Sequence, residues 1–478
     1  MPTITTIDPV TRLEGHLKIQ VTIDKVNGVQ QVVDAKATGT LFRGFENILV
    51  NRHPFDAQHI TQRICGVCPV SHGQAAVMAL DAACGVTVPN NARTMRNLVL
   101  GANMVDSHIL HFYHLSAPDY IKGPDMPPWQ PSWDVDRRFN AATTTALVNH
   151  YVTALEMRRK AHEAGAIFGG RLPHPPTYIA GGFTTTPTSA GISKFKSLMN
   201  QVISFISNTY IPDAQALAAT YGDYKQIGRG YGNLLAFGCF DLNSSGSSRL
   251  LRRGRVSSGS TSVQTVSTNS ITEQVTNSWY ADSSNNLNPA SGVTTPVDPA
   301  TKTAAYSWLK APRYSGTAYE TGPLARMWVN GDYRAGISIM DRHLARAAET
   351  LKVAQAMLTW VDGLSLTGSN SVTANVPSSA TAIGLTEAPR GALGHWLQIS
   401  GGKISRYQII TPTCWNASPR DGSGRRGPIE QALIGMPVND TTKPVEVVRL
   451  IHSFDPCLSC AVHVMRPGEG KKIFTLGH

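Results

Sequence analysis

The sequence has 478 residues, of which 41% are hydrophobic and only 16% are charged, so the chain can bury an extensive core. Its net charge of +11 would suit an anionic partner, but the densest basic patch, Arg249 to Arg255, lacks interleaved aromatic residues, which argues against nucleic-acid binding. No apolar run is long enough for a transmembrane helix, and residues 1–12 contain no apolar signal-peptide core.

The N-terminal part, residues 1–45, is predicted to be rich in β-structure. Apolar and polar residues alternate over 16–23, and Asn27-Gly28 then provides the turn signal of a β-hairpin. Apolar residues recur every three or four positions in four later segments, which predicts long helices over roughly 95–109, 141–166, 190–219 and 333–361.

These patterns predict a mainly α fold with smaller β elements (α+β), in which a central bundle of long helices follows the N-terminal β-hairpin. Residues 243–305 are rich in Ser, Thr, Asn and Gly, which predicts a long irregular excursion. Because motif-like segments follow it directly, we expect residues 1–478 to form a single large domain.

Two Cys-x-x-Cys pairs lie near opposite ends of the chain, Cys65 with Cys68 and Cys457 with Cys460. Pro69 suits the first position of a helix, which would place Cys68 at a helix N-terminus that favours a thiolate. His72 would then lie one turn later on the same side, where its imidazole could donate to a metal-bound sulfur.

Four thiolates suit a soft or borderline metal, although each pair alone could also be a redox dithiol. Structural zinc usually closes a small local fold, with roughly 15–20 residues between its two pairs. Here almost the whole chain separates the pairs. The spacing therefore favours a catalytic metal over structural zinc, but it does not identify the metal.

Segments in a fixed order resemble the nickel–iron hydrogenase large subunit, of the membrane-associated uptake type. The most specific are Arg-Ile-Cys-Gly-Val-Cys near the N-terminus and Asp-Pro-Cys-Leu-Ser-Cys near the C-terminus. The complete set covers 12–16, 42–46, 63–72, 169–175, 310–314, 320–326, 387–391 and 455–463.

The resemblance implies that Cys65 and Cys457 are terminal nickel ligands, while Cys68 and Cys460 bridge nickel and iron. The iron would carry cyanide and carbon monoxide, in a dry pocket where the segment around Arg390 could provide hydrogen-bond donors. The implied reaction is reversible heterolytic cleavage of H2.

A proton would pass to the thiolate of Cys457 or to Arg390, and Glu14 would relay it outwards. The resemblance also places Asp106 and Asp455 near Arg390. Without it, Glu14 would be interpreted as an exposed charge and Asp106 as an ordinary helix-surface residue. Arg390 could equally serve to compensate thiolate charge, because a guanidinium is rarely deprotonated.

Further positions follow from the same resemblance. Val67 and Leu115 would narrow a gas channel. Glu46 and His463 would hold a magnesium or iron ion near the C-terminus, where a hard cation accepts carboxylate oxygen readily. A maturation protease would remove residues 464–478.

The remaining cysteines, Cys84, Cys239 and Cys414, are too scattered to hold an iron–sulfur cluster. The resemblance implies that a small subunit carries these clusters and the export signal. The expected location is therefore the periplasm or the outer face of the membrane, with membrane contact only through partners and a cytoplasmic alternative. An H2-sensing subunit with the same site, and a zinc-stapled structural protein, remain as alternatives.

Overall fold

The computed structural model describes residues 1–127, 129–130 and 132–460, with Cys460 described by its backbone alone. These residues form a mixed fold of helices and strands. The helices are α1 (Phe45–Leu49), α2 (Asp56–Thr61), α3 (Pro69–Cys84), α4 (Asn90–Leu110), α5 (Ala141–Gly169), α6 (Ser189–Phe205), α7 (Ile211–Thr220), α8 (Pro323–Asn330), α9 (Ile339–Asp362), α10 (Pro412–Asn416), α11 (Pro428–Leu433) and α12 (Val445–Ser453).

The strands pair into small antiparallel sheets, ordered β1-β2-β3, β12-β13-β14, β4-β5, β6-β9, β7-β8 and β10-β11 within the described ranges. Their bounds are β1 (Thr3–Ile7), β2 (Leu17–Val26), β3 (Val29–Gly39), β4 (Tyr178–Ile179), β5 (Gly182–Phe183), β6 (Leu234–Ala236), β7 (Cys239–Asp241), β8 (Arg249–Leu251), β9 (Gly254–Val256), β10 (Ile271–Gln274), β11 (Ala311–Tyr314), β12 (Ser379–Ala388), β13 (Gly391–Ser400) and β14 (Lys403–Ile410).

Strands β2 and β3 are joined through Asn27 and Gly28, which both have positive φ, as a two-residue hairpin turn of this kind requires. The alternating apolar residues of β2 are buried, because successive side chains of a strand point to opposite faces. Strand β1, which the sequence pattern did not predict, pairs with the free edge of β2.

The long helices α4, α5, α6 and α9 pack on one another, and α4 is buried along almost its whole length. The apolar stripe at 190–219 corresponds to α6 and α7, which are separated by a π-helical segment, Ile206–Tyr210. In the described part of the chain, no helix is both long and apolar enough to cross a membrane.

Helix α3 lies directly on strand β12, and this contact positions the candidate site. A Cβ atom added at Gly384 would come within 2.0 Å of the Ala75 carbonyl oxygen, so only glycine allows this approach. The N-terminus of α3 and the turn between β12 and β13 are thereby held in one body.

The segment 243–305 contains β8, β9 and β10 together with irregular loops. Tyr280 anchors it, because this side chain is buried and its hydroxyl donates to the Trp308 carbonyl at 2.8 Å.

Candidate metal centre

The first cysteine pair lies where the chain enters α3. Cys68 is the N-cap of this helix and Pro69 is its first residue, as the sequence predicts. The Sγ atom of Cys65 accepts the backbone N–H groups of Val67 at 3.3 Å and Cys68 at 3.2 Å. These donors favour a thiolate at Cys65.

Cys457, the first residue of the second pair, reaches the same point from the other end of the chain. The Sγ atoms of Cys65 and Cys457 are 3.3 Å apart, and those of Cys65, Cys68 and Cys457 all lie within 4.8 Å of one another. All three residues are buried, and the backbone N–H of Cys457 donates to the Thr413 hydroxyl at 2.9 Å. The Cys460 side chain lies outside the described atoms.

The N-terminal segment fixes the position of the second pair. Glu14 forms a parallel β-bridge with Cys457, and its carbonyl oxygen accepts the N–H groups of Leu458 at 2.6 Å and Ser459 at 3.3 Å. The Glu14 carboxylate, which is half-buried, lies 3.9 Å from where a Cβ atom of Gly66 would stand. Glu14 is therefore bonded to the second cysteine segment through its backbone and directs its carboxylate towards the first.

Arg390 lies in the turn between β12 and β13 and is fully buried. Its Nε donates to Asp455 Oδ1 at 3.0 Å, whereas Nη1 and Nη2 have no hydrogen-bond partner among the described atoms. Burial lowers the pKa of Arg390, but the charges of Asp455, Cys457 and then Cys68 outweigh it and raise this pKa well above its usual range. The side chain is therefore a permanent cation beside the sulfurs.

His72 is buried in α3, and its Nδ1 shares a hydrogen bond with His395 Nε2 at 3.1 Å. His395 in turn contacts the Tyr407 hydroxyl through Nδ1 at 2.8 Å. Burial is the main cause that lowers the pKa of His72 to about 4. The ring is therefore neutral at physiological pH, and its Nε2 has no partner among the described atoms.

The structure brings Asp455, and not Asp106, into hydrogen-bond contact with Arg390. The carboxylate of Asp106 accepts Arg158 Nε at 2.9 Å and contacts His162 Nε2 at 2.9 Å. Both partners come from α5, because this helix packs against α4.

The two channel candidates lie in different surroundings. Val67 packs against the buried cluster that contains Cys65 and Cys68, and its carbonyl accepts the Asn103 amide at 2.9 Å. Leu115 lies in the π-helical segment that follows α4, where its carbonyl accepts Arg12 Nη1 at 2.5 Å.

A second site surrounds Glu46 at the start of α1, where the buried ammonium of Lys310 lies 3.7 Å from Glu46 and 3.3 Å from Glu273. The Glu46 carboxylate accepts the Ile409 N–H at 2.9 Å and also the Thr294 hydroxyl. It lines a cavity of about 60 Å³ together with Glu273, Lys310, Cys414, Ser459 and other residues. Burial raises the pKa of Glu273 to about 7. His463, the other predicted ligand, lies outside the described residues.

A family model described as nickel-dependent hydrogenase matches residues 43–126, 125–336 and 329–463, which is most of the chain. The chain belongs to the nickel-dependent hydrogenase large-subunit family. A second model, described as HoxL-like, matches residues 4–33 of this hydrogenase subunit.

Relatives of this hydrogenase subunit match over nearly their full lengths. The periplasmic [NiFeSe] hydrogenase large subunit of Desulfomicrobium baculatum is 42% identical, over 98% of this chain and 96% of the relative. The uptake hydrogenase large subunit of Rhizobium leguminosarum bv. viciae is 34% identical, over 96% and 95%. The reduced Ni-Fe-Se hydrogenase of D. vulgaris Hildenborough has a TM-score of 0.93 at 43% identity, covering 97% of this chain and 100% of that one.

Two arginines at the hydrogenase site were not singled out from the sequence. Arg43 donates to the carbonyls of Ile64 and Ser459, and thereby joins the two cysteine segments. Arg326 donates to the carbonyls that precede Arg390. Both lie inside segments that carry the family resemblance, and this was the only sequence signal for them.

Proposed function

We propose that this chain is the catalytic subunit of a nickel–iron hydrogenase, which cleaves H2 reversibly and heterolytically into protons and electrons. One observation carries the proposal: the sulfurs of Cys65, Cys68 and Cys457, from opposite ends of the sequence, converge in a buried cluster. Thiolate-rich sites suit soft or borderline metals. A zinc ribbon would instead use pairs that are close in the chain.

The roles of the ligands follow the family. Cys65 and Cys457 would be terminal ligands of nickel, while Cys68 and Cys460 would bridge it to an iron that carries cyanide and carbon monoxide. When bound, this centre supplies the redox and Lewis-acid chemistry. The donors present fit such a group, because Arg390 Nη1 and Nη2 are buried with no described partner and could donate to a ligand that accepts hydrogen bonds.

The side chains of this chain would carry out the proton transfer that the reaction requires. Arg390 is held as a cation by Asp455 and the thiolates, so it would orient and polarise rather than accept a proton. We infer that the thiolate of Cys457 takes the proton and that Glu14 carries it away. Glu14 suits this role because its backbone is bonded to the Cys457 segment while its carboxylate remains half-buried.

The electrons require a partner. Within the described ranges, Cys65, Cys68 and Cys457 are the one group of three or more metal-ligand side chains whose ligand atoms lie within 4.8 Å of one another. The described residues therefore offer no second metal cluster that could carry electrons away. Large subunits of hydrogenases normally pair with an iron–sulfur small subunit. We infer that this small subunit receives the electrons, that the physiological direction is H2 uptake, and that the complex works in the periplasm or at the outer face of the cell membrane, with the cytoplasm as the alternative location.

Three further assignments complete the proposal. Glu46, together with His463, would hold a magnesium or iron ion near the C-terminus. Val67 and Leu115 would line the path by which H2 enters. Residues 1–478 would form one catalytic domain, with 464–478 removed by a maturation protease after nickel insertion.

The deciding experiment is elemental analysis of the purified complex, with infrared spectroscopy and H2 uptake coupled to a dye. We expect one nickel per complex with iron in excess of it, because the clusters of the small subunit also contain iron, together with bands from iron-bound diatomic ligands and sustained turnover. Zinc without nickel would overturn the proposal. An intact centre with almost no turnover would instead favour the H2-sensing role.

A further inference from the structure

A buried arginine, Arg326, donates hydrogen bonds to the turn that contains Arg390. Arg326 lies in α8, is fully buried, and donates through Nη1 to the Ala388 carbonyl at 2.9 Å and through Nη2 to the Pro389 carbonyl at 2.8 Å. These are the two residues that directly precede Arg390. The guanidinium of Arg326 therefore holds the backbone from which the Arg390 side chain extends.

Two carboxylates fix the orientation of Arg326 itself. Its Nε and Nη2 donate to Glu349 at 2.7 and 2.6 Å, and its Nη1 donates to Glu387 at 3.0 Å. Together with the two carbonyl bonds, these contacts use all five N–H donors of the guanidinium. A lysine has three donors on a flexible stem and cannot reproduce this planar fork.

Arg326 and Glu349 are both charged at physiological pH, because the ion pair between them raises the pKa of Arg326 and lowers that of Glu349. Burial raises the pKa of Glu349, but the charge and hydrogen bonds of Arg326 outweigh burial and lower this pKa to about 2. Burial raises the pKa of Glu387 to about 7. His108 also contacts Glu349 at 2.8 Å, so the carboxylate is held from two sides.

Residues Thr321 and Gly322 also pack closely against the turn between β12 and β13. Gly391 has a φ of +137°, and a Cβ atom there would lie 2.3 Å from the Thr321 hydroxyl oxygen. A Cβ atom at Gly322 would lie 3.2 Å from the Arg390 carbonyl oxygen. Because segment 321–326 contacts the turn on both sides, a shift of that segment would move Arg390.

We propose that Arg326 is a positioning residue, which sets how closely the Arg390 guanidinium approaches the cysteine sulfurs. The Arg390 side chain has one hydrogen bond among the described atoms, from its Nε to Asp455. Its remaining placement depends on the backbone that Arg326 holds. This inference rests on the proposed function, in which Arg390 acts at the metal centre.

The test compares Arg326→Lys with Arg313→Lys. Arg313, in β11, is a matched control because it is also fully buried. Its guanidinium donates to one carboxylate, that of Asp421, to one hydroxyl and to three backbone carbonyls. Both variants should lose similar thermal stability. Only Arg326→Lys should shift the infrared bands of the iron-bound ligands and lower H2 oxidation, by about 100-fold if Arg390 moves by roughly 1 Å.

A double variant separates positioning from general damage. In an Arg390→Lys background, Arg326→Lys should cause little further loss of activity, because residues that act through one group are not additive. Additive losses, or unshifted infrared bands in Arg326→Lys, would overturn the inference. Should this variant not assemble, Glu349→Gln loosens the same guanidinium and should give the same shift; unchanged bands there would equally overturn it. Absence of nickel and of these bands in the unaltered complex would instead reject the proposed function.

Discussion

Replacing Glu14 by glutamine separates two tasks of one residue. The backbone carbonyl of Glu14 holds Leu458 and Ser459, and this bond does not depend on the side chain. The carboxylate faces the first cysteine segment, 3.9 Å from the point that a Cβ atom at Gly66 would occupy. Glutamine has nearly the same size and hydrogen-bonding reach, but it cannot take up and release a proton.

The size of the effect follows from the role of a proton carrier. A positioned acid or base typically contributes about 10²–10⁴-fold to a rate. Because the Glu14 side chain accepts no described hydrogen bond that holds the fold, we expect Glu14→Gln to assemble with normal nickel and iron. H2 oxidation and the exchange of D2 with water protons should both fall by on the order of 100-fold or more.

The assay is dye reduction under H2, together with HD formation from D2, on protein of measured nickel content. Glu156→Gln is the control, because that carboxylate is exposed on α5 and pairs with Arg159 at the surface. It should retain full activity. If Glu14→Gln oxidises H2 at the unaltered rate with both metals present, the assignment of Glu14 to the proton path is refuted.

Three other changes test separate parts of the molecule. Cys68→Ala removes one of the converging sulfurs and should abolish both nickel binding and the infrared bands of the iron-bound ligands, whereas Cys239→Ala, at a buried thiol in β7, should keep both. Glu46→Gln removes the charge that a hard cation would bind, so the complex should lose one magnesium or iron ion and its melting temperature should fall; an unchanged content of both metals would contradict the proposed site. Glu430 is buried, and burial raises its pKa from 4.5 to about 7, so the folded state favours its protonated form. Its contribution to stability is therefore present below about pH 4.5 and is lost as pH rises towards 7. Glu430→Gln mimics the protonated form and should flatten the fall of melting temperature between pH 5 and 8; an unchanged slope would show that Glu430 is not responsible.

Local features were predictable from sequence because they depend on neighbouring residues. Pro69 marked the start of α3 and placed Cys68 at its N-cap, and Asn27-Gly28 marked a turn between two strands. The periodicity at 190–219 predicted a helix but not the π-helical segment that separates α6 from α7. Such a segment changes the backbone hydrogen bonds without breaking the apolar stripe.

The hydrogen-bond partners of the buried charged residues were harder to predict from the sequence. The family resemblance pointed to both Asp106 and Asp455 near Arg390, and the structure brings only Asp455 into hydrogen-bond contact with it. The hydrogen bonds of Asp106 go to Arg158 and His162, because α5 packs against α4 there. A buried charge takes whichever opposite charge packing brings within reach, and spacing along the chain does not encode that choice.

The sequence by itself determined the ligand chemistry: two Cys-x-x-Cys pairs, the residue types around them, and the family that their order resembles. Only the tertiary structure decided that Cys65 and Cys457 meet at 3.3 Å, that the Glu14 backbone binds the second pair, and that Arg326 holds the turn before Arg390. The physical reason is that contacts between distant segments depend on how helices and sheets pack. Side-chain type and local spacing fix what each residue can bond, while packing fixes which partner it finds.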